Sequence, residues 1–503
     1  MHRTAVSILL TPGFDSDRVL LVKRSPELVF FGGYHAFPDG TLDASDAAVA
    51  VRDLPQMGQD SDLSSFVVAA AREVFEETGV FLGRGERRPP GERLLAYRRA
   101  LLAEELSFAE ILARENQHLD GRDFHPICRI TTPPFAPRRY DTWLFGCLLP
   151  PDAAIEIWPG ELEAGEVVGA GEALARWRAG QMLIVPPVVI FLSELAGQNV
   201  SSFIPSVRRW TDSYPRDKLH RVYFTPGVLL APLQTPTLPP ATHTNTYVLG
   251  EERLFVVDPA PMDPQEQEKL WVLLDELKEE GRNLEAILLT HYHRDHLGAA
   301  AEAQRRYALP LWAHRDTARE LPQLSFQRHL EEGEELSLGA SPDGRLDWRL
   351  RVFHVPGHAP GHLAFRESRY KALLVGDLVS TLSSILIDPR DGHLATYLQS
   401  LERLEPLAEG TLYPGHGPPA REGAKVIRAQ MAHRKEREAR LLAALSGEPQ
   451  EIESLVSKVY TDVDQRLFPL AERSLLSGLV KLKEEGRVEP SGEGYRLRLR
   501  GRE

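Results

Sequence analysis

The sequence predicts a multidomain chain built from α/β and α+β units. Its 503 residues exceed one core, since domains run to ~150 residues and two to four are expected. Strand-length apolar runs that end in glycine-rich or histidine-rich loops and lead into helix-period stretches recur through most of the chain. After Met431 the composition shifts to charged helical segments and two short β-like runs. The boundaries this suggests are 1–210, 218–432 and 433–503.

Apolar residues make up 42%, enough for ordinary cores, and the net charge is −13. That balance favours solubility and supplies no basic stripe, which weighs against nucleic acid as a general partner. Two cysteines, Cys128 and Cys147, make no disulfide framework and point to a reducing compartment. Residues Met1 to Leu10 lack the long apolar region of a secretory leader. The longest apolar run, Met182 to Leu192, contains Pro186-Pro187 and is too short to cross a bilayer. The expectation is a cytoplasmic protein with no membrane partner.

In the first domain, Thr4 to Leu10 and Arg18 to Lys23 read as strands joined by the turn-rich Thr11-Pro12-Gly13. A glycine-rich loop with aromatic anchors runs from Phe30 to Gly40, and a polar insertion from Thr41 to about Asp62. The helix that follows is expected to be capped by Asp62 or a nearby serine. At about 100° per residue, Leu63, Phe66, Val67, Ala70 and Val74 share one face. Glu73, Glu76 and Glu77 stand at i, i+3 and i+4 and cluster on one side. Glu77 lies next to the apolar face, where an unpaired carboxylate is costly and a cation would remove the cost. Clustered oxygen ligands suit magnesium or manganese; the plainer alternative is a solvated acidic helix end.

The run Arg72-Glu73-Val74-Phe75-Glu76-Glu77-Thr78-Gly79-Val80 resembles the box of the Nudix hydrolases throughout. The resemblance implies an α/β/α sandwich in which Glu73, Glu76 and Glu77 bind Mg2+ or Mn2+, Glu73 and Glu76 serve catalysis, and Arg72 orients the cluster. Gly40 resembles the box glycine, displaced by the insertion; Gly58 has the nominal spacing but not the aromatic-Pro-Asp-Gly context. Ser64 stands where the family has its first helical glutamate. Arg24-Ser25-Pro26, His35-Ala36-Phe37-Pro38, Leu42-Asp43-Ala44 and Arg138-Arg139-Tyr140-Asp141-Thr142 are similar to the peroxisomal coenzyme A diphosphatases, which share the insertion and the missing glutamate. The implied substrate is a diphosphate-linked small molecule of nucleotide or coenzyme A type, with a metal that neutralises charge and positions water for attack on phosphorus.

In the second domain, Leu284 to Leu289 reads as a buried strand and Leu297 to Ala303 as the start of a helix. Between them, Thr290-His291-Tyr292-His293-Arg294-Asp295-His296 crowds three imidazoles and a carboxylate onto a loop at a strand's C-terminal end, a usual place for chemistry in α/β sheets. These donors suit borderline divalent metals, zinc above all. His291 and His293 could bind one ion, and Asp295 and His296 could point at a second. His358, Asp377 and His416 each end an apolar segment beside glycines that let the backbone turn sharply. A polar turn with surface histidines is the bland alternative.

This series, from roughly Arg221 to Met431, resembles the metallo-β-lactamase superfamily. The resemblance implies an αββα sandwich with a cleft for two Zn2+: His291, His293 and His358 at the first site, Asp295, His296 and His416 at the second, Asp377 bridging, and Asp258 in support. Asp295 is also counted as catalytic, and His362 is expected beside the ligands. The 39 positions between Asp377 and His416 (416 − 377) leave no room for the cap domain of the β-CASP nucleases.

His433 to Leu445, Glu451 to Val459 and Ala471 to Glu485 read as helices, and Gly486 to Glu489 and Tyr495 to Leu499 as a small wing. Together they resemble the winged-helix tail of the β-lactamase-like protein 2 group, which are single-stranded-RNA endonucleases. The function these resemblances imply is a bifunctional metal-dependent hydrolase: a pyrophosphatase followed by a phosphodiesterase acting on RNA. The alternatives are a glyoxalase II-like thioester hydrolase, a mononuclear-iron persulfide dioxygenase, and a non-enzymatic winged-helix sensor. Candidate partners are a diphosphate-containing small molecule, single-stranded RNA and a second copy of the chain.

Overall fold

Alternation along two strands builds the first unit. Val6, Ile8 and Leu10 of the strand Arg3–Thr11, with Leu20 and Val22 of Arg18–Arg24, enter one core beside Phe66, Val67, Ala70 and Val74. Leu9, Val19 and Leu21 point the other way, into a core shared with Leu174, Val188, Leu192 and Phe203. The strand layer therefore carries helices on both faces: Leu63–Thr78 on one, and Ala170–Arg178, Pro186–Leu195 and Val200–Ser213 on the other.

The computed structural model describes residues 3–28, 31–54, 62–132, 139–213, 218–492 and 494–498. Phe30, Gly58, Arg138 and Leu499, named in the sequence reading, lie outside the described residues. The chain divides into two units, Met1–Lys218 with Val222–Phe224, and Leu219–Arg221 with Thr225–Glu503.

The two strands flanking Thr11-Pro12-Gly13 belong to different sheets. Arg3–Thr11 runs parallel to Tyr140–Leu148 and antiparallel to Asp39–Thr41, whereas Arg18–Arg24 pairs with His35–Ala36 and Leu162–Gly169. The helix Leu63–Thr78 ends at Gly79, whose φ of 73° closes it in the left-handed conformation. The expected cap is not formed: Asp62 occupies the N-cap position without a side-chain capping bond. The expected first boundary, at residue 210, falls inside the helix Val200–Ser213, with Phe203 and Val207 buried. Among the described residues no single helix is long and apolar enough to cross a membrane. Pro186–Leu195 and Val200–Thr211 together meet the length and composition test as a bent pair, but their apolar side chains fill this core.

In the second unit the strands Val228–Gln234, His243–Leu249, Arg253–Val257, Asn283–Leu288, Leu311–Ala313 and Arg328–His329 neighbour one another in that order, antiparallel at first and parallel from Arg253–Val257 onward. A second sheet joins Glu335–Gly339, Trp348–His354, Leu363–Glu367, Leu373–Gly376 and Leu412–Pro414. Tyr247 of the first sheet meets Tyr413 of the second edge-on at 5.4 Å, so the sheets face each other. Helix Pro264–Glu279 buries Leu270, Leu273, Leu274 and Leu277, a helical stripe. Helix Leu394–Leu404 sends Tyr397, Leu401 and Leu404 into a core with Val355, Leu373 and Val375. Asp258, His291, His358, Asp377 and His416 each follow the end of a strand within four residues or fewer.

The composition change at Met431 falls inside one continuous helix, Gly423–Ala444. Its Ile427 lies in the core of the second sheet, and its Leu441 lies in the core of the tail. Helices Ile452–Val459 and Phe468–Glu484 and a three-stranded sheet complete the tail. The last helix starts ahead of the apolar periodicity because Pro469 lies in its first turn, where a missing N–H leaves nothing unpaired.

Candidate metal centre

Hydrogen bonding at the edges of the second-unit cluster decides what its centre can hold. Thr290 Oγ1 donates to Asp258 Oδ2 at 2.6 Å, so its contact with His291 Nδ1 at 2.9 Å is one in which the imidazole donates. His293 Nε2 donates to Asp391 Oδ2 at 3.0 Å, and His358 Nδ1 to the Leu386 carbonyl at 3.0 Å. A neutral imidazole has one N–H, so the remaining nitrogens, His291 Nε2, His293 Nδ1 and His358 Nε2, carry lone pairs. Those three converge, with His293 Nδ1 3.0 Å from His291 Nε2 and 2.9 Å from His358 Nε2. Three lone pairs facing one another cannot satisfy one another, and a cation between them can.

A second group joins the first through Asp377. His296 Nδ1 donates to Asp258 Oδ2 at 2.8 Å and His416 Nδ1 to the His243 carbonyl at 3.0 Å. Their Nε2 atoms each stand 3.3 Å from Asp377 Oδ1, and Asp295 Oδ2 lies 3.6 Å from His416 Nε2. The other oxygen of Asp377 lies 3.6 Å from His358 Nε2. Buried His296 Nε2 and Asp377 Oδ1 have no hydrogen-bond partner despite their closeness. Ligand atoms of His291, His293 and His358, and separately of Asp295, His296 and His416, lie within 4.8 Å of one another.

Asp258 is held at a φ of 50°, a strained angle for a residue with a Cβ. The same carboxylate accepts from Thr290 N at 2.7 Å, so one side chain fixes both the His291 strand end and the His296 ring. His362 is buried and accepts from the Asp377 backbone N–H through Nε2 at 3.1 Å, while its ring stacks on His291. It holds the Asp377 backbone in place and lies outside both donor groups.

The electrostatics separate the two groups. Burial and the neighbouring imidazoles hold His291 well below the usual histidine value, and burial with His293 brings His358 to about 4. Burial opposes charge on His296 and His416 too, but Asp377, together with Asp258 at His296 and the His243 carbonyl at His416, outweighs it and raises both. Burial alone would raise Asp377; His416 and His296 hold it well below the carboxylate range.

In the first unit the three glutamates lie along one helix around Arg72. Arg72 Nη1 donates to Glu73 Oε1 at 2.8 Å and Glu76 Oε1 at 3.3 Å. Glu77 Oε2 accepts from the Asp39 backbone N–H at 3.1 Å. Gly40 packs directly against Glu73, with an added Cβ falling 1.9 Å from its carboxyl carbon. Burial raises Glu73 to about 8, with Glu76 adding and Arg72 opposing; burial with Asp39 and Glu73 raises Glu77 well above the usual value. Among the described residues these glutamates do not form a group of three with ligand atoms within 4.8 Å; such groups lie in the second unit. Arg72 takes up Glu73 and Glu76, and the Asp39 amide takes up Glu77.

Two comparisons bear on the second unit. Residues 239–416 match the Metallo-beta-lactamase superfamily, and residues 452–496 match the Beta-lactamase associated winged helix domain. The second unit is a metallo-β-lactamase domain with a winged-helix tail. The chain is similar to a Beta-lactamase-like protein 2 homolog of Drosophila melanogaster, 27% identical over 263 residues, 49% of this chain and 85% of that protein. It is also similar to an Atrochrysone carboxyl ACP thioesterase of Claviceps purpurea, 27% identical over 270 residues, 52% of this chain and 81% of that one. Among solved structures it is similar to a NUDIX hydrolase from Alicyclobacillus acidocaldarius, 27% identical, covering 41% of this chain and 96% of that one with a TM-score of 0.35. The metallo-β-lactamase domain is thus of a metal-dependent hydrolase family, and its donors fit a divalent ion such as zinc or iron.

Sequence reasoning missed four supports of these sites. Asp391, Thr290 and the Leu386 carbonyl fix the rings in the metallo-β-lactamase domain. In the first unit, Asp46 from the insertion is buried and meets Arg72 Nε at 3.0 Å and Nη2 at 3.1 Å. Asp46 also closes a capping box with Asp43, a spacing visible in Asp43-Ala44-Ser45-Asp46.

Proposed function

We propose that the metallo-β-lactamase domain is a two-zinc hydrolase acting on RNA phosphodiesters and that the first unit is a Nudix pyrophosphatase. The observation that carries the first half is the placement of Asp377, one oxygen beside His296 and His416 and the other beside His358. In this reading His291, His293 and His358 hold one ion, Asp295, His296 and His416 the other, and Asp377 bridges. Two such ions would supply the charge that makes water acidic near neutral pH and steadies charge developing on the attacked group. Asp391, Asp258, His243 and Leu386 fix the tautomers, so the rings need no reorganisation to bind.

For the first unit, the supporting observation is the Glu73 carboxylate packed on Gly40 and tied to Arg72. Glu73, Glu76 and Glu77 would hold Mg2+ or Mn2+ against a diphosphate of coenzyme A or nucleotide type, and Arg72 would set their directions. The thioester-hydrolase reading stays as the second choice, because a relative named as a thioesterase aligns over most of its length.

Elemental analysis and a substrate panel test both halves. Two equivalents of zinc and cleavage of short single-stranded RNA are expected, and His293→Ala should abolish that cleavage while diphosphate hydrolysis persists. One equivalent of iron, or turnover of acyl thioesters with RNA left intact, would overturn the phosphodiesterase reading. If Glu76→Gln hydrolyses diphosphates normally, the helix has been misassigned.

A further inference from the structure

We infer that the winged-helix tail is a positioning device for the first metal site, acting through Arg473 on the loop of residues 385–393. The inference rests on the reading that His291, His293 and His358 bind a metal. Two of those three rings are oriented by this loop. Asp391 Oδ2 accepts from His293 Nε2 at 3.0 Å and from Tyr292 Oη at 2.9 Å, and the Leu386 carbonyl accepts from His358 Nδ1 at 3.0 Å.

The loop is tightly wound and seated beside a ligand-bearing turn. Gly392 N donates to the Asp388 carbonyl at 2.6 Å, and His393 N donates to the Gly357 carbonyl at 2.8 Å. A Cβ on Gly392 would fall 2.8 Å from that Gly357 oxygen, one residue before His358. A shift of the loop must therefore move Asp391 or strain the His358 turn.

The far side of the loop is gripped by the tail. Arg473 Nε donates to Asp388 Oδ2 at 2.6 Å, and its Nη2 contacts the same oxygen. Glu484 Oε2 meets His393 Nε2 at 2.8 Å. Arg434, on the helix that leads into the tail, donates to the Ile385 carbonyl. Asp388 also accepts from Arg390, but that residue belongs to the loop, so Arg473 is the charged partner that ties the buried carboxylate to another element. Arg473 and Glu484 are eleven positions apart on the helix Phe468–Glu484 (484 − 473), about three turns, so both project from one face. The last helix of the tail thus turns that face onto the loop.

The test is metal affinity in the full-length protein, read by competition with a chromophoric chelator and by the absorption of the Co2+-substituted form. Losing a group that orients a ligand lowers metal affinity roughly 10–100-fold. R473M is expected to weaken one of the two equivalents about tenfold and to change the Co2+ spectrum, with R473K restoring most of the loss. Arg466→Ala, which removes an exposed ion pair within the tail, to Asp464, should leave both unchanged. D391N, which removes the loop's bond to His293, should weaken the same equivalent. An R473M protein with both equivalents bound at wild-type affinity would overturn the inference while leaving the ligand assignment standing. Wild-type protein that binds no metal would overturn both. If R473M does not fold, E484Q, which alters only the partly exposed contact to His393, takes its place with the same expected direction.

Discussion

Replacing Gly40 by alanine puts the first unit's glutamate cluster to a direct test. An added Cβ would stand 1.9 Å from Glu73 Cδ and 2.1 and 2.3 Å from the two carboxylate oxygens. Ordinary contact begins at 3.4 Å, so the carboxyl group must retreat by roughly 1.5 Å. Gly40 lies in the strand Asp39–Thr41, paired opposite Val6, where alanine is conformationally acceptable. The folding cost is then the disturbed bond between Glu73 and Arg72, about 1.5–3 kcal/mol for a hydrogen bond to a charged group. The catalytic cost is larger, since displacing a working group by ~1 Å loses about 100-fold in rate. The assay is steady-state hydrolysis of coenzyme A and nucleoside diphosphate derivatives, with Mn2+ binding followed by electron paramagnetic resonance and folding by thermal melting. We expect kcat/KM to fall about 100-fold, Mn2+ to bind more weakly, and the protein to remain folded. Wild-type turnover and wild-type Mn2+ binding in Gly40→Ala would refute Glu73 as a working ligand.

Asp46→Ala should destabilise the first unit by about 3–5 kcal/mol, because it strips a buried guanidinium of its carboxylate; urea unfolding measures this, and a loss below ~1 kcal/mol would mean that Glu73 and Glu76 already suffice for Arg72. The metallo-β-lactamase domain carries a separate acid-sensitive point at His314, which burial and the stacked ring of His354 bring to about 4. Its Nδ1 accepts from Asp316 N at a helix start, so the native state favours the neutral ring. A base with a depressed folded pKa contributes stability above its unfolded value of ~6.5 and loses it as pH falls towards 4. At pH 5 the loss is about 2 kcal/mol relative to neutral pH, and His314→Asn, which keeps a capping acceptor that cannot titrate, should flatten that part of the stability profile measured by urea unfolding.

What could be read in advance differs between the candidate ligands and their supports for a physical reason. His291, His293, Asp295 and His296 sit in one short loop, and His358, Asp377 and His416 each stand beside glycines at a strand end. Donor type and turn chemistry are local, so a linear sequence displays them. Asp391 sits in a turn and Asp46 in a short 3-10 helix, and their partners lie 98 and 26 positions away. The capping spacing of Asp46 is local, but nothing local to either aspartate displays its distant partner. Pairing was equally hidden: Arg3–Thr11 and Arg18–Arg24 are adjacent in sequence, yet each finds its partners elsewhere. The composition change at Met431 falls inside a helix that serves two cores with residues fourteen positions apart, Ile427 and Leu441, so composition displays no break in the chain.

On the proposed reading both units gather donors for a cation, by different means, and the difference is measurable. In the metallo-β-lactamase domain most donors are imidazoles whose outer N–H groups are already spent on Asp391, Leu386, Asp258 and His243, so the lone pairs point inward at little charge cost. The first unit uses carboxylates, and burial leaves Glu73 protonated until about pH 8. A carboxylate with a raised folded pKa keeps its proton below that value, and a metal must displace it. Affinity of the first unit for Mn2+ should therefore fall about tenfold for each pH unit below 8, on account of Glu73 alone. Calorimetric titration of the His293→Ala protein between pH 6 and 8 isolates this term, because the competing metal-binding unit is impaired there. A flat profile over that interval would mean that Glu73 is already ionised when the metal arrives, and that Arg72, not the proton, holds the cluster's charge in check.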